Sequence, residues 1–272
     1  MSNHVKFDQA EGLRALLGLQ PQRKPVSFFS AISANQKNAL LLNLARAINS
    51  SHQSVHLLDV NQTQNGISTK SPKPQADVLH AFTRPQQAHT LSSHSDSEIH
   101  ISQLTDLDFS KLHQDTAKIS QLLETLTALL KKQDLCLLDI SYNEESLPLI
   151  RQMDLGTVVL LCNLQPDSIQ SGYLQLKLLH QLPVTAEFKL LIVDGTPEQA
   201  AQLYQNFAQT ARQFLQLDVS LLGHLPNDPY FLSAVQSGKS VLDAFPSSPT
   251  AKTLLTIADQ LTARIPVAQS GI

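Results

Sequence analysis

The second half of the chain alternates short, continuous apolar runs with helical patterns, and no other feature constrains its fold as tightly. Thr157-Val158-Val159-Leu160-Leu161-Cys162 predicts a strand buried on both faces, and Pro166-Asp167 signals a helix that runs to His180. Phe188 to Val193 is the next strand, followed by a helix from Pro197 to Leu215. Val219 to Leu222 is the last strand, with Gly223-His224-Leu225-Pro226 ending it. Helices from Pro229 to Gln236 and from Pro249 to Arg264 close the domain. Strands without a polar face, separated by helices, require a parallel sheet covered on both sides.

The first half follows the same plan less regularly. Val26 to Ser30 predicts a strand, Ala39 to Ile48 a helix rich in Leu and Ala, and Val55 to Leu58 a buried strand ending at Asp59. From Asn61 to Ser97 the chain turns polar, which predicts long loops around one short helix near Ala76 to Phe82. Glu98 to Ser102 is a further strand, and Thr116 to Lys132 an amphipathic helix leading to strand Leu135 to Leu138, which ends at Asp139. The expected fold is α/β, a mostly parallel sheet of about 7–8 strands with helices on both faces. Ahead of it, Phe7 to Leu17 predicts a short helix, with Asp8 and Glu11 in capping-box spacing and Phe7, Leu13, Leu16 and Leu17 on one side. Such a helix either docks on a partner or folds back on its own domain. The expected organisation is residues 1–24 as helix and linker, 25–265 as the α/β domain and 266–272 as a flexible tail.

With 42% hydrophobic residues the chain has material for a large core. A net charge of -3 argues against a generally basic nucleic-acid binder, and 5% aromatics with no Trp argues against base-stacking platforms. Cys136 and Cys162 cannot build a disulfide framework or a four-Cys metal site, and their apolar neighbours predict buried thiols in a reducing compartment. Charges at Lys6, Asp8, Glu11 and Arg14 exclude a signal peptide, and no apolar run approaches the ~18 residues that cross a bilayer. The expectation is a soluble, cytosolic protein.

In a parallel sheet, ligands bind beyond the carboxyl ends of the strands. Three polar segments leave that edge: Ser30 to Asn38, Asp59 to Gln64 and Asp139 to Glu144. The first joins a strand to a helix, the place for a phosphate-binding loop. Asp59 and Asp139 each end an apolar strand, where a carboxylate either holds the water shell of a magnesium ion or anchors a loop.

The order of elements resembles the MinD/ParA group of deviant P-loop ATPases, most closely its flagellar branch, FlhG (also called FleN or YlxH). Asp8-Gln9-Ala10-Glu11-Gly12-Leu13-Arg14 is similar to the DQAxxLR motif of FlhG proteins. Leu44-Ala45, then Val55-His56-Leu57-Leu58-Asp59, resembles the family's "NLA…VLLLD" segment. Leu222 to Pro229, with Ala234-Val235 and Phe245-Pro246-Ser247-Ser248-Pro249, resembles "LGxIPxD…AV…YPxSP". The likeness runs over residues 6 to 264.

The departures concentrate where nucleotide would bind. The resemblance places Lys37 on the P-loop lysine, Asn38 on the magnesium-binding Ser/Thr, and Ile32 on the signature lysine that reaches across a dimer. The loop Ala31-Ile32-Ser33-Ala34-Asn35-Gln36 has none of the glycines of GKGGxGK[ST], in a chain with nine glycines where average usage predicts roughly 19. Glycine lets such a loop adopt positive φ and gather its N–H groups around phosphate. Other residues pay about 1–2 kcal/mol each for that geometry. Asp59 and Asp139 keep the switch I and Walker B strand ends, the second switch I Asp is Asn61, and Ser141-Tyr142-Asn143 lacks the switch II glycine. The base-reading Asn is replaced near Val193-Asp194. The resemblance therefore implies a MinD-like scaffold with a vestigial nucleotide site at Lys37, Asn38, Asp59, Asn61 and Asp139, no catalytic residue and no metal.

What the resemblance implies about function is a regulator of flagellar number or placement, cytoplasmic and recruited to the cell pole. It would act through protein contacts, its N-terminal motif stimulating an FlhF-type GTPase of the SRP class. Phe7, Asp8, Gln9, Ala10, Leu13, Arg14 and Leu17 are then the partner-binding residues, with Gln9 aimed at the partner's active site. Flagellar switch proteins or a transcription regulator are further partners of this reading, direct nucleic-acid binding is not expected, and a homo- or heterodimer stays open. The alternative is an active MinD-like ATPase, dimerising with ATP and magnesium through an atypical loop; otherwise no cofactor is expected. The C-terminal Ile265 to Ile272 has a proline and no basic face, so direct membrane binding is not expected.

Three further patterns are read as decoys. Ser237-Gly238-Lys239-Ser240 contains a GKS but follows a helix and lacks the upstream glycine of a Walker A loop. His89, His94 and His100 lack zinc-site spacing, and no nucleophile elbow occurs.

Overall fold

Alternate residues of each strand enter two different cores, and this period-two split makes the domain a three-layer sandwich. The computed structural model describes residues 24–61, 66–70, 99–104, 115–130 and 134–263. The N-terminal helix with Phe7, Asp8, Gln9, Ala10, Leu13, Arg14 and Leu17, the helix near Ala76, His89 and His94, Arg264 and the tail 266–272 lie outside the described residues.

Seven parallel strands form one sheet: β1 (Val26–Ser30), β2 (Val55–Asp59), β3 (Ile99–Gln103), β4 (Leu135–Ile140), β5 (Thr157–Asn163), β6 (Glu187–Val193) and β7 (Val219–Leu225), in the order β3-β2-β4-β1-β5-β6-β7. Val26 and Phe28 of β1, Leu57 of β2 and Leu137 of β4 face a core shared with α1 (Ala34–Asn49). Phe29, Leu58 and Leu138 face the opposite core, shared with α2 (Thr116–Leu130), α3 (Leu147–Ile150), α4 (Pro166–His180) and α5 (Pro197–Leu215). The α1 side is completed by α6 (Pro229–Gln236), α7 (Val241–Ala244) and α8 (Pro249–Thr262). No helix among the described residues is long and apolar enough to cross a membrane.

The connection after β1 leads across β4 to β2, whereas that after β4 leads across β1 to β5. Adjacent strands whose connections leave in opposite directions open a crevice at their carboxyl ends, which is where such sheets bind ligands. That crevice lies between β1 and β4.

Several boundaries differ from the expectation, for identifiable reasons. The last strand runs through Gly223 to Leu225 rather than ending at Leu222. Leu190 and Leu191 of β6 pair with Leu221 and Gly223, so Leu222 is bulged out and Gly223 belongs to the strand. The first helix begins at Ala34, not Ala39, because Ser33 caps it: its Oγ accepts from the Gln36 N–H and donates to Gln36 Oε1. The strand expected from Glu98 spans Ile99–Gln103, and β6 starts one residue early at Glu187. The short helices α3 and α7 were not signalled by periodicity, each being a single turn.

Both cysteines are buried and free, and burial pushes the Cys162 thiol up to about 12. The GKS segment is the turn between α6 and α7, with Gly238 at φ +67 and Ser240 capping α7. Among the described residues no group of three metal-ligating side chains is assembled, and His100 stacks beside His56 on the neighbouring strand.

Candidate functional site

Parity along the strands sets the site. Asp59 and Asp139 are the last odd-numbered residues of β2 and β4, so both project to the α1 side, and the register pairs them directly. Along α1 the buried positions Leu40, Leu41, Leu44 and Ile48 form its core-facing stripe. Lys37 continues that stripe one turn earlier and is directed at the mouth of the crevice.

The three side chains meet there. Lys37 Nζ donates to both carboxylate oxygens of Asp139 at 2.7 Å, with both side chains nearly excluded from solvent. Asp139 Oδ2 also accepts from the Ile67 N–H at 2.9 Å. Asp59 Oδ1 accepts from the N–H and Nδ2 of Asn61, and its Oδ2 accepts from the Ser68 N–H at 2.9 Å. Asn61 Nδ2 donates further to the Asp139 carbonyl, and Asn38 Nδ2 donates to the Gly66 carbonyl. Burial pushes the Asp139 carboxyl above the usual carboxylate range; Lys37 pulls it back and the neighbouring Asp59 adds to the rise.

All five residues expected at the nucleotide site, Lys37, Asn38, Asp59, Asn61 and Asp139, therefore converge. Of the two roles open to the aspartates, holding a magnesium water shell or anchoring a loop, both carboxylates here anchor the backbone of residues 66–68. The cation on the Asp139 carboxylate is an ammonium group of the chain itself. Gly66, Ile67 and Ser68 were not foreseen. Their only trace in the sequence is an Asn65-Gly66 turn signal followed by one isolated apolar residue inside a polar stretch.

Residues 31 to 38 build no phosphate cradle. The link from β1 to α1 is three residues long, and none of residues 31–38 has positive φ. The Lys37 N–H donates within the helix to the Ser33 carbonyl at 2.9 Å. Ile32, at the signature position, packs toward the α1-side core. Ser141-Tyr142-Asn143 closes on itself, with Asn143 Oδ1 accepting from the Ser146 N–H and Ser146 Oγ from the Asn143 N–H.

Just past the carboxyl end of β6, Asp194 has φ +69 and accepts a hydrogen bond from Gln36 Nε2 at 3.2 Å. The cavity beside it, between Val193, Pro226 and Phe231, holds about 40 Å³, far below the ~300–1,000 Å³ of ordinary ligand pockets. A larger hollow of about 460 Å³ lies by Arg46 and Asp243, at the other end of α1, and those two charges pair with each other.

A magnesium nucleotide does not fit these residues as they are placed. The lysine that would meet phosphate is engaged by Asp139, the amides of Ala31, Ile32, Gln36 and Lys37 already donate to Leu161, Ser30 and Ser33, and the carboxylates already have their donors. Asn61 Oδ1, buried and unpaired among the described residues, is an acceptor and offers nothing to a phosphate oxygen.

The seven-stranded parallel sheet with helices on both faces is a MinD-like P-loop fold. Among solved structures, the chain is similar to the MinC:MinD cell division protein complex of Aquifex aeolicus, at 14% identity and TM-score 0.67, covering 91% of this chain and 100% of that one. It is similar to the septum site-determining protein MinD of Pyrococcus horikoshii complexed with Mg-ADP, at 15% identity and TM-score 0.62, covering 89% and 100%. A ParA family ATPase of Chlorobium tepidum gives 15% identity and TM-score 0.62, covering 87% and 98%. No family model and no curated protein matches the sequence.

Proposed function

We propose that this chain is an FlhG-like regulator of flagellar number or placement that works as a pseudo-ATPase, through protein contacts in the cytoplasm or at the cell pole. The observation that carries its non-catalytic half is the Lys37 ammonium, seated on both oxygens of Asp139 in a helix that starts one turn before it. A P-loop lysine must offer its charge to phosphate, and this one is spent inside the fold. The Pyrococcus horikoshii MinD is complexed with Mg-ADP; on the present reading this chain binds neither nucleotide nor magnesium in that place.

The flagellar half rests on Asp8-Gln9-Ala10-Glu11-Gly12-Leu13-Arg14 and its likeness to the FlhG motif. An amphipathic helix needs no ATP to dock, so it retains a purpose when the nucleotide site is lost. Phe7, Leu13 and Leu17 are its apolar anchors, Asp8 and Arg14 frame the contact, and Gln9 reaches the active site of an SRP-type GTPase of the FlhF class.

The test is GTP hydrolysis by an FlhF-type GTPase with the full-length chain, its Gln9→Ala variant and a peptide of residues 1–20. Stimulation by chain and peptide, abolished in the variant, is expected; no stimulation by either removes the proposal. Calorimetry with ATP and Mg²⁺ checks the other half. Micromolar binding lost in Lys37→Ala would favour the active ATPase instead.

A further inference from the structure

The three residues at 66–68 are fastened to three separate elements. The Gly66 carbonyl accepts from Asn38 of α1 at 3.3 Å, the Ile67 N–H donates to Asp139 of β4, and the Ser68 N–H donates to Asp59 of β2. The Ile67 side chain is wholly buried in the α1-side core. Gly66 is required for closeness rather than for a turn: a Cβ there would lie 2.0 to 2.4 Å from the carboxyl atoms of Asp59. The segment is thus pressed onto a carboxylate by the one residue type that leaves room for it.

Two buried carboxylates side by side repel each other and resist burial. In nucleotide switches, segments in such places are ordered by a metal and a phosphate and released when these leave. Here the compensating charge is covalently part of α1. We infer that residues 66–68 form a permanently closed latch: Lys37 supplies the cation that keeps Asp139 able to accept the Ile67 amide, and Gly66 lets the strap lie flat on Asp59. The switch is fixed in one state, and no ligand is needed to hold it.

The inference rests on the non-catalytic half of the proposed function and not on the N-terminal helix, so a failure to stimulate a GTPase leaves it standing. Amide hydrogen exchange of the full-length chain tests it, comparing residues 66–68 with the strands β5 to β7. The expected result is strong protection at Ile67 and Ser68, unchanged by saturating Mg-ATP or by a chelator. In Lys37→Met the protection at 66–68 falls by roughly tenfold or more, the scale of one hydrogen bond to a charged acceptor, beyond the uniform fall that β5 to β7 show from the lower global stability. Gly66→Ala produces the same local loss with Lys37 intact. Protection at 66–68 that rises with Mg-ATP in the unaltered chain overturns the latch, and it overturns the pseudo-ATPase reading with it. Full protection retained in a folded Lys37→Met or Gly66→Ala chain overturns the latch alone. Should either variant fail to fold, the comparison with and without Mg-ATP in the unaltered chain decides.

Discussion

Replacing Lys37 by methionine keeps the stem of the side chain and removes its charge. It leaves Asp139 buried beside Asp59 with the Ile67 amide as the one remaining donor to its carboxylate among the described residues. Breaking a buried ion pair from one side costs about 3–5 kcal/mol, because the remaining charge is uncompensated. For a chain of this size each kcal/mol shifts the melting temperature by about 2–4 °C, so a fall of about 6–20 °C is expected. The double variant Lys37→Met/Asp139→Leu removes both charges and is expected to recover most of the loss, since apolar replacement of a buried pair is often neutral. The pH dependence adds a second handle. Asp139 already titrates above its ordinary value in the fold, chiefly through burial, and losing Lys37 raises it further. A raised carboxyl makes the native state bind more protons than the unfolded one, so stability is present in acid and lost as pH climbs through the raised value. The gap between Lys37→Met and the unaltered chain should therefore widen from pH 4 to pH 7 in urea titrations. A single-variant cost under about 1 kcal/mol, or a double variant as damaged as the single, would refute a structural ammonium at this site.

Two further outcomes follow from groups outside the crevice. His56 is buried on β2 against Ser102 Oγ at 2.6 Å, and burial, with His100 beside it, lowers its pKa to about 3. The unfolded chain therefore binds a proton below about pH 6.5 that the fold refuses, and stability falls with pH by about 1.4 kcal/mol per unit from there down. His56→Gln should flatten that slope between pH 6 and 5, as read by urea titration; an unchanged slope would exclude His56 as its source. Gly172 lies inside α4, where alanine would ordinarily raise helix stability by about 1 kcal/mol. A Cβ there would lie 2.3 Å from Cys162 Sγ on β5, so Gly172→Ala should instead destabilise the domain by about 1–3 kcal/mol, and a variant of equal or higher melting temperature would contradict the close packing.

Much of the architecture was legible from local pattern. The apolar run at β5, the proline starts of α4 and α5 and the aspartates near the ends of β2 and β4 all mark themselves within a few residues, because burial on both faces, missing N–H groups and strand parity are local signals. Asp59 and Asp139 were readable as polar ends of apolar strands, whereas Lys37 was placed beside them by the family resemblance alone, its position on the α1 stripe being visible only in the fold. Ser33 and Gln36 carried the S-x-x-Q spacing of a helix start, but the Leu- and Ala-rich run from Ala39 set the expected start five residues too late. The bulge at Leu222 could not be read, because it is a property of the pairing of β7 with β6, and the room Gly223 leaves beside Ile257 and Leu191 is visible only in the fold.

The order of residues thus dictated a parallel sandwich and the chemistry available at its edge, because those depend on periodicity and on which side chains end each strand. Whether that chemistry faces a ligand or faces inward was decided only by tertiary structure. An ammonium, two carboxylates and two amides drawn from α1, β2, β4 and the 66–68 strap are distant in sequence, and their charges are satisfied by one another only once the sheet order has brought them within hydrogen-bonding distance.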